Sequence, residues 1–211
     1  MKRAVAMVGV GLAALVSTGC SVQSDGEAAP EPKVSMRGSP EPSGSSGLPH
    51  SGAPAVTNPL PESVLSDHPC EVLTTEQLQS ALGPEVSAGS PSDLEQVGPG
   101  CHWRNPETLG ALQIGFSVVT REGLSAQYAN TKPQVAVFRE LSSVGGFPGV
   151  AYKASEKDRF CTVAVGVADE YSITTGVGLS PDKAAEGVDS CVPAEQVVEL
   201  VVGNLKAKAG R

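Results

Sequence analysis

Hydrophobic positions along this chain change their period, and each change predicts a different element. Over residues 112–120, Leu112, Ile114, Phe116 and Val118 alternate with smaller or polar partners, the two-residue period of a half-buried strand. Residues 160–167 repeat it, with Cys161, Val163, Val165 and Val167 on one face. Residues 171–177 follow after a short polar connection, so the two segments predict an antiparallel hairpin. Weaker strand signals lie at residues 135–141 and 150–154, a short helix is expected within 123–131, and the glycine-rich residues 143–149 read as a turn between strands.

Helical periods flank this region. Thr74 is placed to cap a helix and Gln77 to complete a capping box, with Leu73 and Leu78 spaced as a hydrophobic staple and Gly83 and Pro84 ending it. Near the C-terminus Val198, Val201, Val202 and Leu205 recur at i, i+3, i+4 and i+7, while Glu195 and Glu199 face away. Pro193 suits the first turn of that helix, and Lys206 and Lys208 suit its dipole. The expected fold is therefore α+β: an antiparallel sheet of about five strands with an N-terminal and a C-terminal helix packed on one face.

The start of the chain has a different character. Residues 1–19 carry a basic head, Lys2 and Arg3, then an apolar run of about thirteen residues, then Ser17, Thr18 and Gly19, the layout of a secretory signal peptide. That run is shorter than the roughly twenty residues a membrane-spanning helix needs. Small residues before Cys20 resemble the bacterial lipobox, in which the thiol receives a diacylglycerol, although Ser17 stands where leucine is usual. Residues 20–65 read as a lipidated Cys20 followed by a disordered linker rich in Pro, Gly and Ser, with an average reach of about 35 to 40 Å. His50 is expected to be a solvated linker residue, and the folded domain to span residues 66–211.

Cysteine count sharpens this picture. Five cysteines are an odd number, and a lipidated Cys20 leaves Cys70, Cys101, Cys161 and Cys191 for two disulfides, as an oxidising compartment permits. Four cysteines allow three pairings. Because Cys70 and Cys191 each precede a helix, Cys70 with Cys191 and Cys101 with Cys161 is the expected pairing. A net charge of −8 with scattered basic residues offers no footprint for nucleic acid. Any membrane attachment must therefore come from acyl chains, placing a monomer outside the cytoplasm on the outer face of the membrane.

With these residues in view, the domain resembles the actinobacterial lipoproteins grouped as domain of unknown function 3558. The matching pieces are DHPCEVLTTEQL at residues 67–78, GCHWRN at 100–105, the cysteine of FCTVAV at 161, and DSCVPAEQVVELVVGNL at 189–205. The resemblance implies an exported, membrane-tethered domain. The family has no established activity, so it transfers no functional residue.

Catalytic chemistry has no candidate residues in this sequence. His68 with Cys70 and Cys101 with His102 have spacings that suit zinc, but four cysteines in an exported chain are better used as disulfides, so no metal or cofactor is expected. Trp103 is expected to rest on a disulfide in the core, and Asp158 and Arg159 to form a hairpin tip. The expected function is that of a non-enzymatic binding module for an envelope protein or component; the alternative is a carrier of a lipid or other apolar molecule held between the sheet and its helices.

Overall fold

Strand alternation in the middle of the chain closes into one antiparallel sheet in the computed structural model, which describes residues 47–211. Its strands are β1 (Ser90–Pro91), β2 (Gly100–Arg104), β3 (Ala111–Ser117), β4 (Val137–Val144), β5 (Phe147–Lys153), β6 (Phe160–Gly166) and β7 (Ser172–Gly178). The α-helices are α1 (Thr75–Leu82), α2 (Pro181–Ala185) and α3 (Cys191–Lys208). Strand order is β1-β2-β3-β7-β6-β5-β4, seven strands rather than about five. The two extra strands are β1 and β2. In β2 only Cys101 and Trp103 are apolar, too few to reveal a period, and pairing of Cys101 with Ile114 and Trp103 with Leu112 is what makes it a strand.

Several local signals act as the sequence predicts. Thr74 Oγ1 accepts the Gln77 N–H at 3.2 Å and Gln77 Oε1 accepts the Thr74 N–H at 2.9 Å, a complete capping box on α1. β6 and β7 pair as antiparallel neighbours in register from Phe160–Gly178 to Gly166–Ser172. Gly145 and Gly146, with φ of 58° and 97°, turn β4 into β5, a conformation that side chains resist.

One sheet face carries the main core. Cys161, Val163 and Val165 of β6 share it with Ile173 and Val177 of β7 and with Leu112, Ile114 and Phe116 of β3. α3 lies against β6 and β7, burying Ala194, Val198, Val201, Val202 and Leu205 in the same cluster. Trp103 is buried beside the Cys101 sulfur, as expected of an aromatic resting on a disulfide. On the opposite face the Phe160 ring lies over Gly176 and Gly178, where an added Cβ would meet it. Leu124, Tyr128, Val150 and Ala164 form a second, smaller cluster there. Within it burial, aided by the Glu140 carboxylate, pushes the Tyr128 hydroxyl up to about 12.

Two expectations are corrected. Residues 47–65, read as linker, belong to the folded structure: Leu60, Val64 and Leu65 are buried, and the Leu60 N–H donates to Val167 O at 2.8 Å. His50 is likewise anchored through its N–H to Ser125 Oγ at 3.0 Å. Sparse apolar residues in a proline-rich segment suffice here because the sheet and α3 supply the rest of the core. The signal segment, Cys20 and residues 21–46 lie outside the described residues.

The second correction concerns the disulfides. Cys70 is bonded to Cys101 and Cys161 to Cys191, with Cα separations of 5.1 and 5.0 Å. The expected Cys101–Cys161 bond is excluded by strand order, since β3 and β7 lie between β2 and β6. Three inter-strand spacings put those two residues roughly 14 Å apart, whereas a disulfide spans about 4.4 to 6.8 Å between Cα atoms.

Candidate functional site

An apolar groove opens where α1, α2 and the first half of α3 meet the ends of the central strands. Its volume is about 430 Å³, and it continues into a narrower cleft of about 140 Å³, a size range that suits small-molecule ligands. α1 contributes Ala81 and Leu82, the sheet contributes Leu112 and Val177, and α3 contributes Val192, Pro193, Gln196 and Leu200. Val188, between α2 and α3, adds to the apolar wall, and Ser80, Thr108, Ser180 and Lys183 bring polar groups to it. Val188, Val192 and Leu200 are 40%, 52% and 38% exposed, an apolar rim that has no protein covering it among the described residues.

Each wall is fixed by identifiable bonds. Asn105, buried at the end of β2, donates from Nδ2 to Leu82 O at 2.8 Å and so holds the C-terminus of α1. Its Oδ1 accepts the Glu107 and Thr108 N–H groups at 2.9 and 3.0 Å, shaping the β2–β3 turn on the groove's rim. Asn204 Nδ2 ties α3 to Val72 O at 2.7 Å and to Gln77 Oε1 of α1 at 2.8 Å. Ser180 Oγ accepts the Lys183 N–H at 3.3 Å and caps α2.

The start of α3 is held by a denser set. Besides the Cys161–Cys191 bond, Asp189 Oδ1 accepts the Cys191 N–H and the buried Lys153 ammonium, both at 3.0 Å. These bonds, the Cys191 N–H first and Lys153 next, hold the Asp189 carboxyl below the usual carboxylate range. Lys153 Nζ also donates to Glu156 O at 3.1 Å, so the β5–β6 hairpin and α3 are latched together.

The other residues singled out by sequence lie apart from the groove. His68 Nε2 is 2.9 Å from Asp93 Oδ1, and its Nδ1 accepts the Cys70 N–H at 3.3 Å. Asp93 also accepts the Gly100 N–H at 3.0 Å, and that bond, followed by His68, lowers its pKa. His102 alternates with Cys101 along β2 and faces the opposite side of the sheet, pairing with Gln113. Of the residues weighed as a zinc set, Cys70 and Cys101 are bonded to each other as a disulfide, and His102 faces the side of the sheet away from that bond. Asp158 and Arg159 lie at the β5–β6 connection, where Asp158 Oδ1 accepts the Phe160 N–H.

Sequence reasoning missed the groove residues. One signal was available: Val192 and Leu200 fall outside the Val198, Val201, Val202 and Leu205 stripe, apolar residues on the wrong side of a helix. Lys183 had no such signal, because α2 is only five residues long.

Fold and groove together define a disulfide-stapled α+β domain with an open apolar cleft between its helices. The chain belongs to the family described as protein of unknown function (DUF3558), whose model matches residues 15–204. No curated protein and no solved structure matches it.

Proposed function

We propose that this chain is an exported, lipid-anchored binding module of an actinobacterial cell envelope, and that the groove between α1, α3 and the sheet is its ligand site. The observation carrying the binding role is the uncovered apolar rim of Val188, Val192 and Leu200. Groove-lining residues are aliphatic and amide side chains, small hydroxyls and one lysine, which supply shape and contact rather than a nucleophile with its base. The reading is therefore non-enzymatic. It takes α1 and α3 as one layer over the same sheet face, supported by their shared lining of the groove.

Export and anchoring rest on the N-terminal layout and on cysteine use. Pairing of Cys70 with Cys101 and Cys161 with Cys191 leaves Cys20 as the odd thiol, consistent with lipidation there. The tether would hold the domain on the outer face of the membrane, in contact with envelope proteins and lipids. Between a protein partner and an apolar cargo, the concave 140 Å³ cleft that continues the groove favours cargo.

Native mass spectrometry of the exported full chain carrying Cys20→Ser, prepared without detergent, tests the binding role. A retained mass that disappears on denaturation is expected, and that mass should be lost in Leu200→Trp, which fills the cleft. Retention unaffected by Leu200→Trp would place the site elsewhere. Labelled fatty acid incorporated into the wild-type chain but not into Cys20→Ser checks the anchor.

A further inference from the structure

The groove's charge makes its ligand more specific. Lys183 is the one ionisable residue lining either part of it, in a chain with 23 acidic residues and a net charge of −8. Among the described residues no carboxylate pairs with the Lys183 ammonium. Other clefts differ. Near α3's end, Lys208 is already bonded to Asp67 at 2.6 Å and to Val64 O at 3.1 Å. Beside β4, Arg139 is paired with Glu195, and Glu140 and Glu199 line the same cleft.

We infer that the groove takes a single-chain aliphatic carboxylate, its alkyl chain lying between α1, α3 and the sheet and its carboxylate at Lys183. This inference rests on the groove being the ligand site. An aliphatic wall ending in one unpaired cation complements an amphipathic monoanion. A phosphate head would call for the several cations or the arginine fork that bind dianions well. An extended peptide suits the groove poorly, because the sheet edges are β1 and β4 while the groove lies at β3 and β7, so peptide backbone would be buried without strand partners.

The test uses the exported full chain carrying Cys20→Ser, stripped of bound lipid and titrated calorimetrically with dodecanoate, 1-dodecanol and dodecyltrimethylammonium below their micelle concentrations. Dodecanoate should bind at one per chain and at least tenfold more tightly than the other two. Lys183→Gln should weaken dodecanoate at least tenfold and leave dodecanol unchanged. Because Lys183 is exposed, an unaltered melting temperature is expected to show that this variant is folded. Equal binding of dodecanoate and dodecanol, insensitive to Lys183→Gln but lost in Leu200→Trp, would overturn the carboxylate inference and leave the groove as the site. Dodecanoate binding that survives Leu200→Trp would overturn both.

Discussion

Two faces of α3 are built from similar apolar residues yet end in opposite environments: Ala194, Val197, Val198 and Val201 are buried against the sheet, whereas Val192 and Leu200 line an open groove. In the C-terminal half Val201, Val202 and Leu205 are buried, and polar side chains fasten the helix to its surroundings. Asn204 reaches Val72 O, Lys206 Nζ reaches Gly145 O at 3.0 Å, and just beyond the helix Arg211 reaches Asn58 O and Pro59 O at 3.2 and 3.0 Å. At the N-terminal end Val192 stands half exposed over the groove, while the Cys161–Cys191 bond, the Asp189 latch and the Arg139–Glu195 pair add to the packing of Ala194, Val197 and Val198. A valine's burial along one helix is thus decided by whether another element lies opposite it. Where the sheet and residues 60–65 lie against the helix its apolar side chains are buried; where α1 and α2 leave a gap beside Val192 and Leu200, a groove remains.

The largest expected effect comes from removing the disulfide that ties the start of α3 to β6. Loop-entropy reasoning for a closure of 30 residues assigns the Cys161–Cys191 bond about 4 kcal/mol. The double variant Cys161→Ser/Cys191→Ser should lose most of that in urea unfolding. Cys70→Ser/Cys101→Ser, closing 31 residues, should lose a similar amount while retaining groove ligand better once refolded. A non-reducing peptide map is expected to return both of these bonds.

Paired leucines sharpen the contrast. Leu205 is 2% exposed and Leu200 38% exposed on the same helix. Leu205→Ala should cost about 3 kcal/mol of stability, and Leu200→Ala less than about 1 kcal/mol, because only the first leaves a cavity. Equal costs would mean that the groove is closed in solution. Next in size is Asn204→Ala, which removes the bond to Val72 O and one of the two that Gln77 Oε1 accepts, and should cost about 1 to 2 kcal/mol.

The smallest effect tests the latch. Asp189's folded pKa is depressed, so its contribution is present above the unfolded value of about 4 and is lost as pH falls through the folded value. Asp189→Asn should be slightly less stable than wild type at pH 7, by under about 1 kcal/mol because the carboxylate is half exposed, and the difference should vanish towards pH 2. A difference that stays constant with pH would show that the latch is not ionic.

Local rules made much of this legible. Thr74 and Gln77 announced α1 because a capping box needs only neighbours three residues apart, and the β6–β7 hairpin followed from alternation across a short connection. β2 was hidden because five residues flanked by glycine and arginine carry no period of their own. The groove was hidden for a related reason: Val192 and Leu200 look like any apolar helix residues until the absence of a covering element makes them a rim.

By itself the sequence determined the signals that act over a few residues: the caps, the alternation of the central strands, the stripe on α3, and the odd cysteine at residue 20. Tertiary structure alone decided which strand lies beside which, and with it the disulfide pairing, since two strands inserted between Cys101 and Cys161 put them beyond bonding distance. It also drew residues 47–65 into the core and left the groove beside Lys183 open. Short-range geometry is written in residue order, whereas burial depends on what arrives from elsewhere in the chain, and that is settled only when the sheet is assembled.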